Sequence, residues 1–438
     1  MSAVRQLIVV ASLVGLAHRA PAQSAPDSAR TLSLSDAVTL AQRNSPIAVN
    51  ARGQLRSSQA SVRSAYAAFL PSIDLQATNT QNSPAGVVID STGHVFSGNW
   101  QTSEGFSMGL TLFDGLARLY QIRANRADVS AARANQLEQS YQIALQVSQQ
   151  YYAVLAAKES EAAAQAELDQ AEQQLTVSRA KVRAQTSTKS DSLRAIIQVG
   201  NAQLALLQAR NDLQTANATL TRLVGEPYKV TANAADTLPG PTVDVDSARL
   251  AQLAEVSPAV QQAQATERAA QAQYRAAHAP YFPDISVGYN RARYHSDNSF
   301  NLFTRGGYNY SGTLRFTVSY PLFNQLQREQ GVVVAQVAQQ NAAAVAHDAA
   351  LLAQQNLVAY IGALRTAQQQ IDIQQVSVVA AEEDLRVQQQ RYELGASILL
   401  DVLTSQTQLT QARLALIQAR YNYRVAKAQL EALIGQPL

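Results

Sequence analysis

Two aspartates, Asp191 and Asp401, have the spacing that most strongly suggests a shared chemical role in this sequence. Asp191 lies in RAQTSTKSDS at 183–192, and Asp401 stands 210 positions later (401 − 191), at the end of YELGASILLD. Each could cap the N-terminus of the helix that follows it. If several chains brought these carboxylates around a narrow axis, the ring would attract cations, repel anions and raise the pKa of its members. The two interpretations are compatible, and the sequence leaves both open.

No arrangement of residues predicts catalysis, a metal site or a cofactor. The sequence has no HExxH motif, no GxSxG motif and no phosphate-cradling loop. Cysteine is absent, which removes thiolate chemistry and suits an oxidising compartment. None of the histidines stands at metal-ligand spacing; they are His18, His94, His278, His295 and His347. We therefore expect a protein that is not an enzyme, with no catalytic residue, no bound metal and no cofactor.

Composition argues against a disordered chain and against a nucleic-acid partner. Hydrophobic residues make up 47% of the chain and charged residues 15%. The net charge is +3, without a block of Lys and Arg. At the N-terminus, Arg5, an apolar stretch at 7–17 and Ala-Pro-Ala at 20–22 have the pattern of a secretory signal peptide. We predict a signal peptide at 1–22 and a mature chain from Gln23, in preference to a buried N-terminal helix.

The sequence contains an internal duplication. LVGEP at 223–227 returns as LIGQP at 433–437, and a heptad of large residues leads up to each copy. The heptad positions are Val199, Leu206, Leu213 and Leu220 in the first copy, and Leu409, Leu416, Tyr423 and Leu430 in the second. Mostly alanine fills the companion row, as in the seam of a tightly packed left-handed coiled coil. We predict a first repeat at 23–227, a linker at 228–244 and a second repeat at 245–438.

Both repeats predict the same order of elements. These are β-hairpins at about 72–113 and 284–321, long helices at about 115–182 and 324–393, and return helices at about 190–224 and 399–434. Apolar and polar residues alternate in the hairpins, and strands of about nine to eleven residues suit a tilted membrane strand. Polar segments at 80–105 and 295–312 would connect the strands. The first long helix would extend on the order of 100 Å, so it must pack along neighbours of similar length.

The predicted fold class is mainly α with membrane β. Four strands alone cannot form a membrane barrel, because open edges leave backbone groups unpaired in lipid. If three chains each contributed four strands, a twelve-stranded barrel would close. Their long helices would then form a tube below it.

This plan resembles the TolC-like outer-membrane efflux proteins. The resemblance covers essentially the whole predicted mature chain, and 391–433, LFDG at 112–115 and LVGEP carry it most clearly. It implies a homotrimer with a barrel in the lipid of the outer membrane and a long α-helical barrel in the periplasm. Such a protein would be the exit duct for small molecules delivered by an inner-membrane pump and a periplasmic adaptor protein. A duct for type I protein secretion is an alternative, and a periplasmic coiled-coil adaptor or scaffold is another.

By the same resemblance, Asp191, Tyr392 and Asp401 fall on positions that hold the periplasmic tip closed. Ser397 stands where a family member carries an arginine, and Thr404 where it carries a second aspartate. The ionic link between subunits therefore cannot form in the same way, and closure is either weaker or relies on other cations. The basic residues that could replace it are Arg183, Lys189 and Arg391. The two turns would also meet the adaptor.

Overall fold

The computed structural model describes residues 29–89, 95–237, 246–297 and 309–438. The predicted signal peptide at 1–22 lies outside these residues, and so does the part of the predicted linker at 238–244. Within the described residues, none of the helices is long and apolar enough to cross a membrane.

The two halves of the chain repeat one succession of helices and strands. The first half contains β1 (Arg30–Leu32), α1 (Leu34–Asn44), α2 (Pro46–Ala67), β2 (Ser72–Ile89), β3 (Val95–Asp114), α3 (Ala117–Arg183), α4 (Lys189–Val224) and β4 (Val230–Ala232). The second contains α5 (Ser247–Glu255), α6 (Pro258–Ala276), β5 (Asp284–Asp297), β6 (Asn309–Ser319), α7 (Gln327–Glu393) and α8 (Leu399–Ile434). Short 3₁₀ turns at Ala234–Thr237 and Ala279–Tyr281 complete the described elements.

The corresponding helices of the two repeats have equal lengths. The long helices α3 and α7 contain 67 residues each, and the return helices α4 and α8 contain 36 each. Leu116 and Leu326, immediately before the long helices, are both left-handed, with φ of 67° and 61°. Gly115 before Leu116 also has a positive φ, and a Cβ there would lie 2.4 Å from a backbone oxygen. The chain therefore leaves each hairpin through a tight left-handed turn before the helix begins.

The two hairpins form one antiparallel sheet in the order β2-β3-β5-β6. The pairing of β3 with β5 joins the two repeats, which leaves β2 and β6 as edges. The helices adjoining these strands follow the same order, because α3 packs between α2 and α6, and α6 packs against α7. Each strand thus adjoins one helix in the chain, and neighbouring strands adjoin neighbouring helices.

The strands of the first hairpin are longer than the sequence predicts. β2 has 18 residues and β3 has 20, so both extend into the polar segment at 80–105. The sequence of this segment keeps no regular alternation of apolar and polar residues, although the ladder of backbone hydrogen bonds continues beyond an irregularity between Gln81 and Gly86. The register also shifts between Thr111 and Phe113, which leaves Leu112 without a partner on β5. This bulge breaks the alternation predicted to run through Leu112.

The return helices bury their heptad positions in part within a single protomer. Of the predicted seam, Leu206, Leu220, Leu409 and Leu430 are buried. Val199, Leu213, Leu416 and Tyr423 are half-buried. α4 packs along α3, and α8 packs along both α7 and α3. The assignment of these eight residues to a coiled-coil seam stays a prediction, which a substitution tests below.

Candidate functional site

Two turns form the end of the molecule that lies farthest from the sheet. They connect α3 to α4 at 184–188 and α7 to α8 at 394–398. A helix of 67 residues places them about 100 Å from the strands. Gly395 has a φ of 76°, and Gln185, its equivalent in the first repeat, has a φ of 61°. The two turns therefore share one left-handed geometry and lie side by side at the tip.

Asp191 caps α4 from within its first turn. Its Oδ2 accepts hydrogen bonds from Ser187 Oγ at 2.7 Å, Thr188 Oγ1 at 2.9 Å and Thr188 N at 3.2 Å. Partial burial raises the pKa of Asp191, but these hydrogen bonds and the charge of Arg194 outweigh it, so the pKa lies below its ordinary value. This pKa belongs to a single protomer, and the rise expected of a carboxylate ring between copies stays a prediction. Whether Asp191 also takes part in a gate stays a prediction.

Asp401 occupies the same position at the start of α8. Its Oδ2 accepts hydrogen bonds from Ser397 Oγ at 2.7 Å and from Ile398 N at 3.4 Å. In the protomer, Ser397 therefore bonds to Asp401, and its Oγ also lies 3.4 Å from Gln388 Oε1 near the end of α7. Thr404 Oγ1 donates to the carbonyl of Leu400 at 2.9 Å, which keeps it within α8 as well.

Tyr392 is the predicted tip residue that contacts another part of the chain. It lies in the last turn of α7 and is 6% exposed. Lys181 Nζ, in the last turn of α3, lies 3.9 Å from the centroid of the Tyr392 ring and donates a hydrogen bond to the Tyr392 carbonyl. The Tyr392 hydroxyl is buried without a hydrogen-bond partner among the described residues. The pair joins the end of α3 in one repeat directly to the end of α7 in the other.

Lys181 is a cation that the sequence interpretation missed. The hydrogen bonds found to Asp191 and Asp401 in the described part of the chain come from Ser187, Thr188, Ser397 and Ile398 rather than from the predicted cations. Arg391 donates to Ala396 O at 3.4 Å. Lys181 stands 210 positions before Arg391 (391 − 181), so the duplication itself marks the position. Its aromatic partner could not be identified in this way, because no Tyr occupies the equivalent position in the first repeat.

The sheet separates apolar from polar side chains. The register places on one face the large apolar residues Phe106, Leu110, Val287, Leu314, Phe316 and Val318. The other face carries the smaller or polar residues Gly105, Ser107, Gly288, Asn290, Thr313 and Thr317. Phe316 and Val318 are each 70% exposed, so the apolar face is uncovered in the protomer. Such a face requires an apolar environment.

A family model decides the identity of the chain. The model described as outer membrane efflux protein matches residues 37–226 and 250–436, which is one match for each repeat. The chain belongs to the outer membrane efflux protein family. The efflux channel is therefore a protein of the outer membrane with a large periplasmic helical part, and it is a transport protein rather than an enzyme.

Solved structures share the fold of this efflux channel. A membrane protein from Pseudomonas aeruginosa matches with a TM-score of 0.76 and 18% identity, over 94% of this chain and 97% of that one. The outer membrane protein VceC from Vibrio cholerae matches with a TM-score of 0.72 and 19% identity, over 92% and 96%. The open state of the MtrE outer membrane channel from Neisseria gonorrhoeae matches with a TM-score of 0.70 and 18% identity, over 92% and 89%.

Part of the sequence of this chain is similar to that of a bacterial secretion protein. The alkaline protease secretion protein AprF of Pseudomonas aeruginosa is 30% identical over 188 residues. The match covers 40% of the efflux channel and 38% of AprF. The similarity to AprF therefore concerns a segment of each protein.

Proposed function

We propose that three copies of this efflux channel share their strands and helices to form one continuous duct. The observation that carries the proposal is the four-stranded sheet with open edges at β2 and β6. In a membrane these edges need partners, and β6 of one copy with β2 of the next would supply them. The order of the helices matches the order of the strands. A ring of strands would therefore continue directly into a ring of helices.

The polar face of the sheet suits the wall of a water-filled passage. Gly105, Ser107, Gly288 and Thr313 are small, and a barrel of twelve strands is too wide for such side chains to fill. The opposite face, with Phe316 and Val318, would then contact lipid. This arrangement is the one that membrane barrels with an aqueous lumen adopt.

The tip of the helices would close the passage at its periplasmic end. The contact between Lys181 and Tyr392 ties α3 to α7, and the capped aspartates fix the start of α4 and α8. We propose that the Lys181–Tyr392 contact holds the tip closed in this chain, where Ser397 and Thr404 replace the charged residues of a family member. Asp191 and Asp401 would add negative charge beside the opening and favour cations there.

The partners of the duct would be a periplasmic adaptor protein at the tip and an inner-membrane pump, with small molecules as cargo. The family description, which names efflux, supports this proposal. Protein secretion is the second candidate function, because the curated relative AprF is a secretion protein. The duct itself would serve either cargo, since a passive passage selects by width and charge.

Transport by a strain that lacks its own channel tests the proposal. The strain receives either a drug pump with its adaptor or a protease exporter with its adaptor, together with the full-length chain. We expect the chain to lower the accumulation of a fluorescent dye, whereas protease in the medium without a change in dye accumulation would favour the secretion function. Failure of both assays, with the protein correctly placed in the outer membrane, would contradict the duct.

A further inference from the structure

Two arginines interrupt the apolar face of the sheet at one height. On β5 the outward positions run Ile285, Val287 and Tyr289, and then Arg291 and Arg293 continue the same alternation. Arg293 Nε donates to Glu104 Oε2 at 2.7 Å, so its charge is partly neutralised. Arg291 is exposed, and no ion pair or hydrogen bond to its guanidinium is found among the described residues. A cation on a lipid-facing surface therefore remains without a protein partner in the described chain.

The position of these arginines along the strand places them near a membrane surface. Tyr310 pairs with Arg293, and Tyr320 lies ten positions further along the chain, one residue beyond the end of β6 and towards the helices. At ~3.4 Å per residue and a tilt of about 45°, the two tyrosines are separated by about 24 Å of depth. That distance is close to the ~25 Å apolar band that aromatic girdles flank in membrane barrels. Since Tyr320 is on the periplasmic side, Arg291 and Arg293 lie at the outer surface.

The same place on the sheet is concave. A cleft of about 540 Å³ is lined by Leu75, Glu104, Phe106, Arg291, Arg293 and Tyr310. Gly312 lies in the same cross-strand row as Arg291 and Phe106 and adds no side chain to it; a Cβ there would lie 3.8 Å from the Tyr289 hydroxyl. Leu75, Phe106 and Arg291 lie in one row across the strands, and the next row towards the outer surface carries Glu104 and Arg293. Towards the helices, the outward positions of β3 are apolar, at Met108 and Leu110. An acyl chain with a phosphate at one end has this same division.

We propose that this cleft binds the phosphate-bearing head group of an outer-leaflet lipid, with the acyl chain along Leu75 and Phe106. The proposal rests on the shared barrel proposed above, which turns this face towards lipid. The planar guanidinium of Arg291 matches a phosphate group with two parallel hydrogen bonds. An outward arginine is costly at the bilayer midplane and tolerated near the interface, where head groups supply the counter-charge. The channel would thereby carry a fixed lipid on each protomer.

Native mass spectrometry of the detergent-purified full-length protein tests the proposal with dioleoyl phosphatidic acid as the probe. The variant Arg291→Gln should bind this lipid about tenfold more weakly than the wild type, since a charge-assisted hydrogen-bonded pair is lost. Arg291→Lys, which keeps the charge without the fork, should lie between them. Arg315→Gln is the matched control, because Arg315 lies on β6 with its side chain on the opposite face. It should bind as the wild type does.

Three results would overturn the lipid site. These are equal binding by the wild type and Arg291→Gln, equal loss in Arg291→Gln and Arg315→Gln, and displacement of the lipid by an excess of inorganic phosphate, which would assign the cleft to a free anion. Dioleoylglycerol, which lacks the phosphate, should bind weakly to every variant. Single-channel conductance of the same samples separates the two proposals. Intact conductance with binding that does not depend on Arg291 refutes the lipid site alone, whereas a wild type that forms no channel refutes the duct.

Discussion

Replacing Lys181 by methionine should loosen the tip that we propose this residue holds closed. Methionine preserves much of the length and apolar packing of the lysine stem but removes the charge. The substitution deletes the contact of Nζ with the Tyr392 ring at 3.9 Å and the hydrogen bond to the Tyr392 carbonyl. A hydrogen bond to a charged group contributes about 1.5–3 kcal/mol, and an exposed cation–π contact about 0.5–1 kcal/mol. Because Lys181 is only half-buried, we expect a loss of about 2 kcal/mol per protomer.

That loss corresponds to a shift of about 30-fold in the opening equilibrium of each protomer, at about 1.4 kcal/mol per factor of ten. Conductance in planar lipid bilayers measures the shift as the fraction of time that a single channel spends in its high-conductance state. The matched control is Arg391→Met, which changes the repeat-equivalent cation. Among the described residues, the Arg391 guanidinium donates to Ala396 O, at 3.4 Å and within its own turn. This control should leave the open fraction nearly unchanged.

A second pair of variants separates the ring of Tyr392 from its hydroxyl. Tyr392→Phe should close as tightly as the wild type, because the hydroxyl has no hydrogen-bond partner among the described residues. Tyr392→Ala should open the tip, because it removes the ring that Lys181 contacts. Equal open fractions in Lys181→Met and Arg391→Met would refute the reasoning. So would a Tyr392→Phe channel that opens as readily as Lys181→Met.

Three further substitutions test the seam, the lipid-facing side and the helix cap. Ala419→Leu should overpack the predicted seam of α8 and destabilise the assembly by about 1–3 kcal/mol, which lowers the temperature at which the trimer dissociates. Gln411 is exposed, so Gln411→Leu should leave that temperature unchanged. Phe316→Arg should destabilise the channel in the membrane by about 2–4 kcal/mol if position 316 faces the bilayer core, and it should reduce the amount of channel in the outer membrane. Thr317→Arg, on the opposite face, should leave that amount unchanged. Asp191→Asn should lose about 0.3–1 kcal/mol in urea unfolding at neutral pH, because the amide still accepts hydrogen bonds but lacks the negative charge at the helix N-terminus. Because folding lowers the pKa of Asp191, its stabilisation is present above the ordinary value of 3.8 and is lost as the pH falls through the folded pKa, so the two proteins should converge in acid. A difference that stays constant with pH would contradict the cap.

Much of the helical architecture follows from the duplication and from local chemistry. Leu116 and Leu326 could not be identified as left-handed residues, because leucine rarely adopts that conformation and only the packing of strand against helix imposes it. The bulge at Leu112 could not be predicted either. Leu112 and Phe113 are equally apolar, so residue type does not show where the alternation is interrupted. The pairing of β3 with β5 depends on contacts between repeats, which no local pattern records.

The tip shows a similar division between what sequence predicts and what it does not. Asp191 and Asp401 were found because their neighbours form a turn followed by a helix, and the same local logic predicts a cap. The partner of Tyr392 could not be found in this way, because Lys181 lies on α3 and Tyr392 on α7, and α3 is held near α7 by packing against α8 rather than by a contact that the sequence pattern records. A role for either carboxylate in selectivity depends on how several copies of the chain are arranged. The repeat within one chain does not predict that arrangement.

The mass and location of the assembled protein test the shared duct most directly. The full-length chain is expressed and the inner and outer membranes are separated. The molecular mass of the detergent-extracted protein is then measured, with a correction for bound detergent. We predict a species of three chains, found in the outer-membrane fraction. A monomer or dimer, with the edges of β2 and β6 left unpaired, would contradict the shared barrel and the duct built on it.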